Sequence, residues 1–292
     1  MNTLPLQKRT QIIQLLVEGV SIRSITRICD VSKNTVTKLL VDVGRACEIF
    51  HNQMVIDVKS KRVQCDEIWS FVGSKEKNTT PESKEQGMGD AWTWVGIDAD
   101  TKLVVSWFVA NRSAEAASEF MNDIASRLSN RVQLTTDGHH AYLDAVTDAF
   151  GSQIDFAQLV KVYGSSSDSN SPTERKYSPS KLKSINKIPI SGNPDEAHVS
   201  TSYIERQNLT MRMSMRRFTR LTNAFSKKLE NHCHAIALHF VYYNFCKVHT
   251  TLRVTPAMEA KLTKRVMKIE DIAAMVVDAK PIRPTTYKKK AA

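Results

Sequence analysis

Leu134-Thr135-Thr136-Asp137-Gly138-His139-His140-Ala141-Tyr142 is the stretch on which the fold turns. The residues entering it, Arg131-Val132-Gln133-Leu134, read as a short buried strand. That strand stops at an acid followed by a glycine, which lets the backbone bend sharply. An Asp-Gly pair also closes ordinary loops. A carboxylate at a strand end has a second use, because ligands of open α/β sheets sit in the crevice beyond the strand ends. A rigid scaffold can present an acid to a hard cation there.

Upstream, Val63-Gln64-Cys65-Asp66-Glu67-Ile68-Trp69-Ser70-Phe71-Val72 alternates and is rich in β-branched and aromatic residues, which predicts a strand with Asp66 near its middle. An acid in that position needs a metal or a base beside it, since a buried lone charge is costly. Ser74 to Asp90 is polar and reads as a solvated excursion. Trp92 to Ile97 and Leu103 to Val109 predict a hairpin closed by Asp98-Ala99-Asp100-Thr101-Lys102, with Asp98 and Asp100 as turn acids. Ser113 caps a helix to about Leu128, with Ala116, Phe120, Ile124 and Leu128 inward. After Asp137 come a helix near Tyr142 to Phe150 and the apolar run Phe156 to Val160. The order strand, hairpin, helix, strand, helix, strand describes an α/β core.

Gly164 to Ser200 is dominated by Ser, Asn, Pro, Lys and Asp and reads as a long loop or loosely ordered insertion. Order returns at Ser202-Tyr203-Ile204-Glu205, in a helix predicted to reach about Phe218 with Ile204, Met211, Met215 and Phe218 as its apolar stripe. At about 3.6 residues per turn, Asn208, Arg212 and Arg216 fall on the face that carries Glu205. A second helix spans roughly Ser226 to Phe245, and a short amphipathic one lies near Ile269 to Val277, before a lysine-ended tail.

Ahead of the α/β region, Leu6 to Glu18 predicts a helix ended by Gly19, Ser21 caps a short second helix, and a third begins at Ser32. Its outward residues Lys33, Asn34, Thr35, Thr37 and Lys38 suit the recognition helix of a helix-turn-helix, where small polar side chains reach base edges and lysines meet phosphate. A three-helix dimerisation module has the same pattern. The 41 Lys and Arg against 30 Asp and Glu, a formal charge of +11, favour a polyanionic partner. From Arg206 onward the acids thin to Glu230, Glu259, Glu270, Asp271 and Asp278. Cys29, Cys47, Cys65, Cys233 and Cys246 are scattered with no Cys-x-x-Cys pair, which argues against a disulfide framework and a zinc ribbon. The chain lacks both a long apolar run and a secretory signal, and so is expected to be soluble and intracellular. Expected domains are 1–58, 59–262 and 263–292.

Asp66, Asp137 and Glu205 thus stand out by position. Two aspartates and a glutamate meeting at one point suit two-metal phosphoryl transfer, with a pair of Mg²⁺ ions about 4 Å apart. Arginines near Glu205 would guide phosphates in. His139 and His140 read as solvent-facing turn residues, Cys233 of His232-Cys233-His234 as core, and Trp69, Trp92, Trp94 and Trp107 as core rather than stacking platforms.

The Asp66-Glu67-Ile68-Trp69 strand, the Thr136-Asp137-Gly138 turn, and Tyr203-Ile204-Glu205-Arg206-Gln207-Asn208-Leu209 followed by Phe225-Ser226-Lys227-Lys228 resemble the transposases of bacterial insertion sequences, most closely the insertion-sequence-one family. Tyr243-Asn244-Phe245 through His249, with Leu252-Arg253-Val254-Thr255-Pro256-Ala257, is similar to the segment after the last acid in many transposases and integrases. The resemblance covers about Arg62 to Leu262. It implies a ribonuclease-H-like catalytic core behind an all-α helix-turn-helix domain, with C-terminal helices. It also implies an Asp66, Asp137 and Glu205 triad holding two Mg²⁺, or Mn²⁺ in their place, for cleavage at element ends and strand transfer. The implied partners are double-stranded DNA, both terminal inverted repeats and target, and further copies of the chain in a homodimer or higher oligomer. The implied location is the bacterial cytoplasm, at the nucleoid. Lys33, Asn34, Thr35, Thr37, Lys38, Arg206, Asn208, Arg212 and Arg216 are the expected DNA contacts. No zinc ribbon precedes the helices, unlike many members of that family. A non-catalytic DNA-binding regulator and a nuclease on the same fold are the rival readings.

Overall fold

The computed structural model describes residues 4–164, 182–219 and 222–278. Its centre is a mixed six-stranded sheet in the order β3-β2-β1-β4-β5-β6. β1 (Arg62–Val72), β2 (Gly89–Asp98) and β3 (Val104–Ala110) form an antiparallel meander, and β4 (Val132–Thr136) and β5 (Ile154–Tyr163) continue the sheet in parallel with β1. The order expected along the chain is the one found. Asp98 closes the β2–β3 turn as expected, its Oδ1 accepting from the amides of Asp100 and Thr101 at 2.7 and 3.0 Å. The polar excursion before β2 holds one five-residue helix, α4 (Pro81–Glu85).

Alternation along the strands builds two cores. On one face Val63, Cys65, Trp94, Leu134 and Phe156 meet α5 (Ala114–Arg127) and α6 (Ala141–Phe150) through Phe120, Ile124, Tyr142 and Val146. On the other, Ile68, Val95 and Ile97 meet α7 (Ser202–Ser214) and α8 (Leu229–Val241) through Ile204, Met211, Ile236 and Phe240. The inner strands of the sheet are therefore covered on both sides, as parallel strands require.

A third core joins the chain's two ends. α1 (Leu6–Val17), α2 (Ile22–Cys29) and α3 (Lys33–Met54) bury Ile12, Ile25, Val36 and Leu40 in one cluster with Leu238 of α8, Ala257 of α9 (Pro256–Glu259) and Ile272 of α10 (Ile269–Asp278). Ser21 and Ser32 cap α2 and α3, accepting from Ser24 and Thr35 amides at 3.1 Å each. Val55 and Val58 lie in the same cluster as Leu103 and Val105.

Three expectations need correction. Part of the stretch read as a loop is a strand: β6 (Leu182–Ser191) pairs antiparallel with β5. Its side chains are almost all exposed, so no buried face marks the sequence. Residues 165–181 lie outside the described residues. α7 stops at Ser214 rather than near Phe218, because Met215 adopts φ −121°, ψ 103° and a 3₁₀ turn follows. Arg216 is therefore off the helical face that carries Glu205. In the His232-Cys233-His234 run, both histidines are buried and Cys233 is half-exposed. His232 packs between the Ser70 and Ser226 hydroxyls at 3.1 and 2.8 Å. The basic tail, residues 279–292, lies outside the described residues. Among the described residues no helix is long and apolar enough to cross a membrane.

α3 and α8 touch closely at Gly44, where an added Cβ would lie 2.6 Å from the His234 Cα. Gly44→Leu is expected to destabilise the protein by at least about 1–3 kcal/mol, the cost of overpacking a tight contact. Chemical denaturation would read this as a lowered midpoint, and an unchanged midpoint would show that the helices separate at little cost.

Candidate functional site

The β1–β4 register creates the site. Cys65 pairs with Thr136, the last residue of β4, so the next residue on each strand is an aspartate, Asp66 and Asp137. β4 ends there while β1 continues to Val72, leaving an open edge into which the Asp137-Gly138 turn folds. Asp66 faces α7, and alternation sends Glu67 to the opposite face, toward Tyr142 and Arg112. Asp137, at the end of its strand, is reached from both faces: one carboxylate oxygen from each of Asp66, Glu67 and Asp137 lies within 4.8 Å of the others.

The buried Gln64, two residues before Asp66, positions Glu205. Its Oε1 accepts from the free amides of Tyr203 and Ile204 at 2.9 and 3.1 Å, replacing an N-cap side chain that α7 lacks. This fixes the first turn of α7 over β1. Asn208, one turn further on, donates from Nδ2 to Asp66 Oδ2 at 2.9 Å, and Asp66 Oδ1 accepts from the Glu67 amide at 2.8 Å. Glu205 itself accepts from Thr201 Oγ1 and pairs with Lys161 of β5.

Two of the carboxyls are strongly perturbed. Burial first, and then the Asp137 charge, push both Asp66 and Glu67 up to about 7. The Glu205 charge adds to the effect on Asp66, and the amide of Glu67 opposes it. At Glu67 the buried Tyr142 hydroxyl and the Arg112 charge oppose the rise. Clustered hard oxygen donors, partly desolvated and mutually repelling, are the donor set that a divalent cation stabilises.

Asp66, Asp137 and Glu205 all line one groove of about 540 Å³, together with Arg112, His139, Lys161 and Thr201. The compact carboxylate cluster contains Glu67 and not Glu205, which sits at the rim with Lys161. A larger cleft of about 970 Å³, between α1 and the start of α10, has Glu270 as its one carboxylate. His139 is not solvent-facing as expected: it stacks on Trp94 with ring centroids 5.8 Å apart, and burial lowers its pKa, whereas His140 is exposed. Of the tryptophans, Trp94 alone is fully buried, and half-buried Trp92 carries the Arg112 guanidinium on its face.

The expected DNA contacts fall in different places. Lys33, Asn34 and Lys38 are exposed at the start of α3, Lys38 pairing with Asp42 at 3.0 Å. The Thr35 and Thr37 hydroxyls are engaged locally, by Ser32 Oγ at 2.8 Å and the Lys33 carbonyl at 3.0 Å. Arg206 and Arg216 are exposed and Arg212 is half-buried. Asn208 is a correction, because it is buried against Asp66 rather than displayed outward. Sequence reasoning missed Gln64, Glu67, Arg112 and Lys161 as parts of the site. Glu67 adjoins Asp66, but strand alternation points it away, and the other three belong to no local pattern.

No family model matches the chain, and no curated protein matches it. Among solved structures it is similar to the piggyBac transposase synaptic complex with hairpin DNA, at 10% identity and a TM-score of 0.41, covering 93% of this chain and 69% of that one. The Mos1 transposase paired-end complex with left transposon end gives 13% identity and a TM-score of 0.24, covering 53% and 60%. The Mos1 strand transfer complex gives 12% and 0.23, covering 82% and 76%. At such scores the likenesses carry no weight for fold or activity.

Two outcomes are expected. The carboxyls of Asp66 and Glu67 hold protons more tightly in the fold than in the unfolded chain, where such acids titrate near about 4. Their stabilising effect is present below about pH 4 and is lost as pH rises through about 7. The melting temperature of metal-free wild-type protein, measured against Asp66→Asn, should therefore fall more steeply between about pH 4 and about pH 7. Parallel profiles would mean that Asp66 is not strained by its neighbours. Gln64→Leu removes the acceptor for two α7 amides and should cost about 1–3 kcal/mol. If urea denaturation showed no loss, α7 would be held by its apolar face alone.

Proposed function

We propose that the chain is a DNA transposase, with a ribonuclease-H-like core and an Asp66, Asp137 and Glu205 triad that uses Mg²⁺, or Mn²⁺, to cut insertion-element ends and join them to target DNA. The observation that carries this reading is the β1–β4 register, which puts Asp66 beside Asp137 in a groove that Glu205 also lines. The order of strands and helices along the chain agrees with the ribonuclease-H-like reading, and the sequence motifs favour the insertion-sequence-one family. When bound, the cations would activate the attacking oxygen and stabilise the leaving oxygen. The chain's own residues hold the donors in place: Asn208 and the Glu67 amide orient Asp66, Gln64 sets the start of α7, and Thr201 orients Glu205.

The exposed start of α3 supports a helix-turn-helix role, with Lys33, Asn34 and Lys38, the last paired with Asp42, as the exposed contacts to the terminal repeats. Arg206 and Arg212 on α7, and Arg216 past its end, are proposed to meet DNA phosphates. Joining two DNA ends takes at least two active sites, so a homodimer or larger assembly on DNA follows. The proposed setting is the bacterial cytoplasm, at the nucleoid. The Lys161–Glu205 pair favours a second reading, a regulator that binds DNA without cutting, because it occupies the third acid.

Asp66→Ala, Asp137→Ala and Glu205→Ala are each expected to lower Mg²⁺-dependent plasmid cleavage by at least about a hundredfold, on the order of 3 kcal/mol of barrier, with DNA binding largely kept. Cleavage retained in one variant removes that acid from the site, and wild-type protein that never cleaves selects the regulator. A pre-cut end left unjoined by a cleaving protein would indicate a nuclease.

A further inference from the structure

Arg112, in the link between β3 and α5, is held beside the carboxylate cluster by three contacts. Its Nε donates to Glu67 Oε2 at 3.1 Å, its guanidinium lies 4.9 Å from the centre of the Trp92 ring, and its Nη2 is 3.6 Å from Asp137 Oδ2. The first two fix the plane of the head group. The third is longer than a hydrogen bond and acts through charge. Among the described residues, no hydrogen bond occupies Nη1. The Glu67 side chain is 1% exposed while that of Arg112 is 38% exposed, so a buried acid anchors a cation whose head opens to the groove.

This arrangement accounts for Glu67. A carboxylate buried in a strand needs a partner, and Arg112 provides it. It also answers an electrostatic problem, because a DNA phosphate entering the groove meets three carboxylates. The other basic side chain lining that groove, Lys161, is already paired with Glu205. The geometry points to a phosphodiester subsite at Arg112, whose guanidinium, anchored by Glu67 and Trp92, donates to a non-bridging oxygen of the DNA backbone at the carboxylate cluster. The planar fork suits a tetrahedral anion better than an ammonium does. Asp137 would be among the holders of a divalent cation, and its contact with Nη2, at 3.6 Å, is the weakest of the three, so Glu67 and Trp92 suffice to keep the plane. Arg112 is then a substrate contact, and Glu67 is a positioning residue acting through it. The inference rests on the DNA reading given above.

The test uses the full chain and a labelled random-sequence DNA duplex, with Ca²⁺ replacing Mg²⁺ so that binding is read without cutting. Arg112→Ala is expected to weaken duplex binding about tenfold and to reduce the slope of log affinity against log salt by about 1, the signature of one lost phosphate contact. Arg112→Lys should keep most of the slope. Mn²⁺ binding without DNA, followed by calorimetry, should be unchanged or tighter in Arg112→Ala, since a competing cation is gone. If Arg112→Ala fails to fold, Trp92→Leu serves instead and should lower duplex affinity with Mn²⁺ binding intact. Unchanged duplex affinity and slope would overturn the subsite, as would a loss confined to Mn²⁺ binding, which would make Arg112 an organiser of the carboxylates. Wild-type protein that binds the duplex but never cuts it refutes the proposed chemistry and leaves Arg112 to be judged on the slope. Protein that does not bind the duplex refutes both.

Discussion

A parallel ladder that stops with Cys65 opposite Thr136 is the constraint from which the site follows. Parallel pairing aligns strand ends pointing the same way, so the residues just past the ladder share one edge of the sheet. Both are aspartates here. Because β1 runs on past β4, the edge they share is open to solvent on one side and walled by α7 on the other. Slipping the register by one residue would turn Asp66 toward the apolar core around Phe120 and Tyr142, so packing on both faces of β1 defends the alignment.

Gathering carboxylates works against the fold, and the surroundings show how it is offset. Asp66 accepts from an amide and from Asn208, while Glu67 is tied to Arg112. Glu205 is kept at the rim by Thr201 and Lys161. Asp66 and Glu67 remain perturbed up to about 7, so these contacts reduce the repulsion without removing it. A site left in that condition favours positive charge, which is the property that phosphoryl-transfer chemistry requires of a carboxylate set.

The N-terminal helices are tied to this site mechanically. Their core is shared with α8 and α10, and Arg9 Nη1 reaches the Ala273 carbonyl at 3.1 Å in the buried interior. α8 in turn packs on the sheet through Ile236 and Phe240. The exposed start of α3 and the acid groove thus belong to one packed body.

The sequence alone determined the elements with a strong local period: the β1 alternation, the β2–β3 hairpin, the stripe of α5, the serine caps of α2 and α3, and the strand ending at Asp137. It also singled out Asp66, Asp137 and Glu205, because an acid in or at the end of an apolar element stands out against its neighbours. It did not disclose β6, whose exposed side chains leave no periodic trace, or the early end of α7, where a backbone change at Met215 breaks a face that the residue spacing continues. Only tertiary structure decided that Glu67 joins Asp66 and Asp137, that Asn208 turns inward, and that Gln64 and Arg112 serve the site. Those pairings link residues on different elements, and a one-dimensional pattern records which face a side chain takes but not what it meets there.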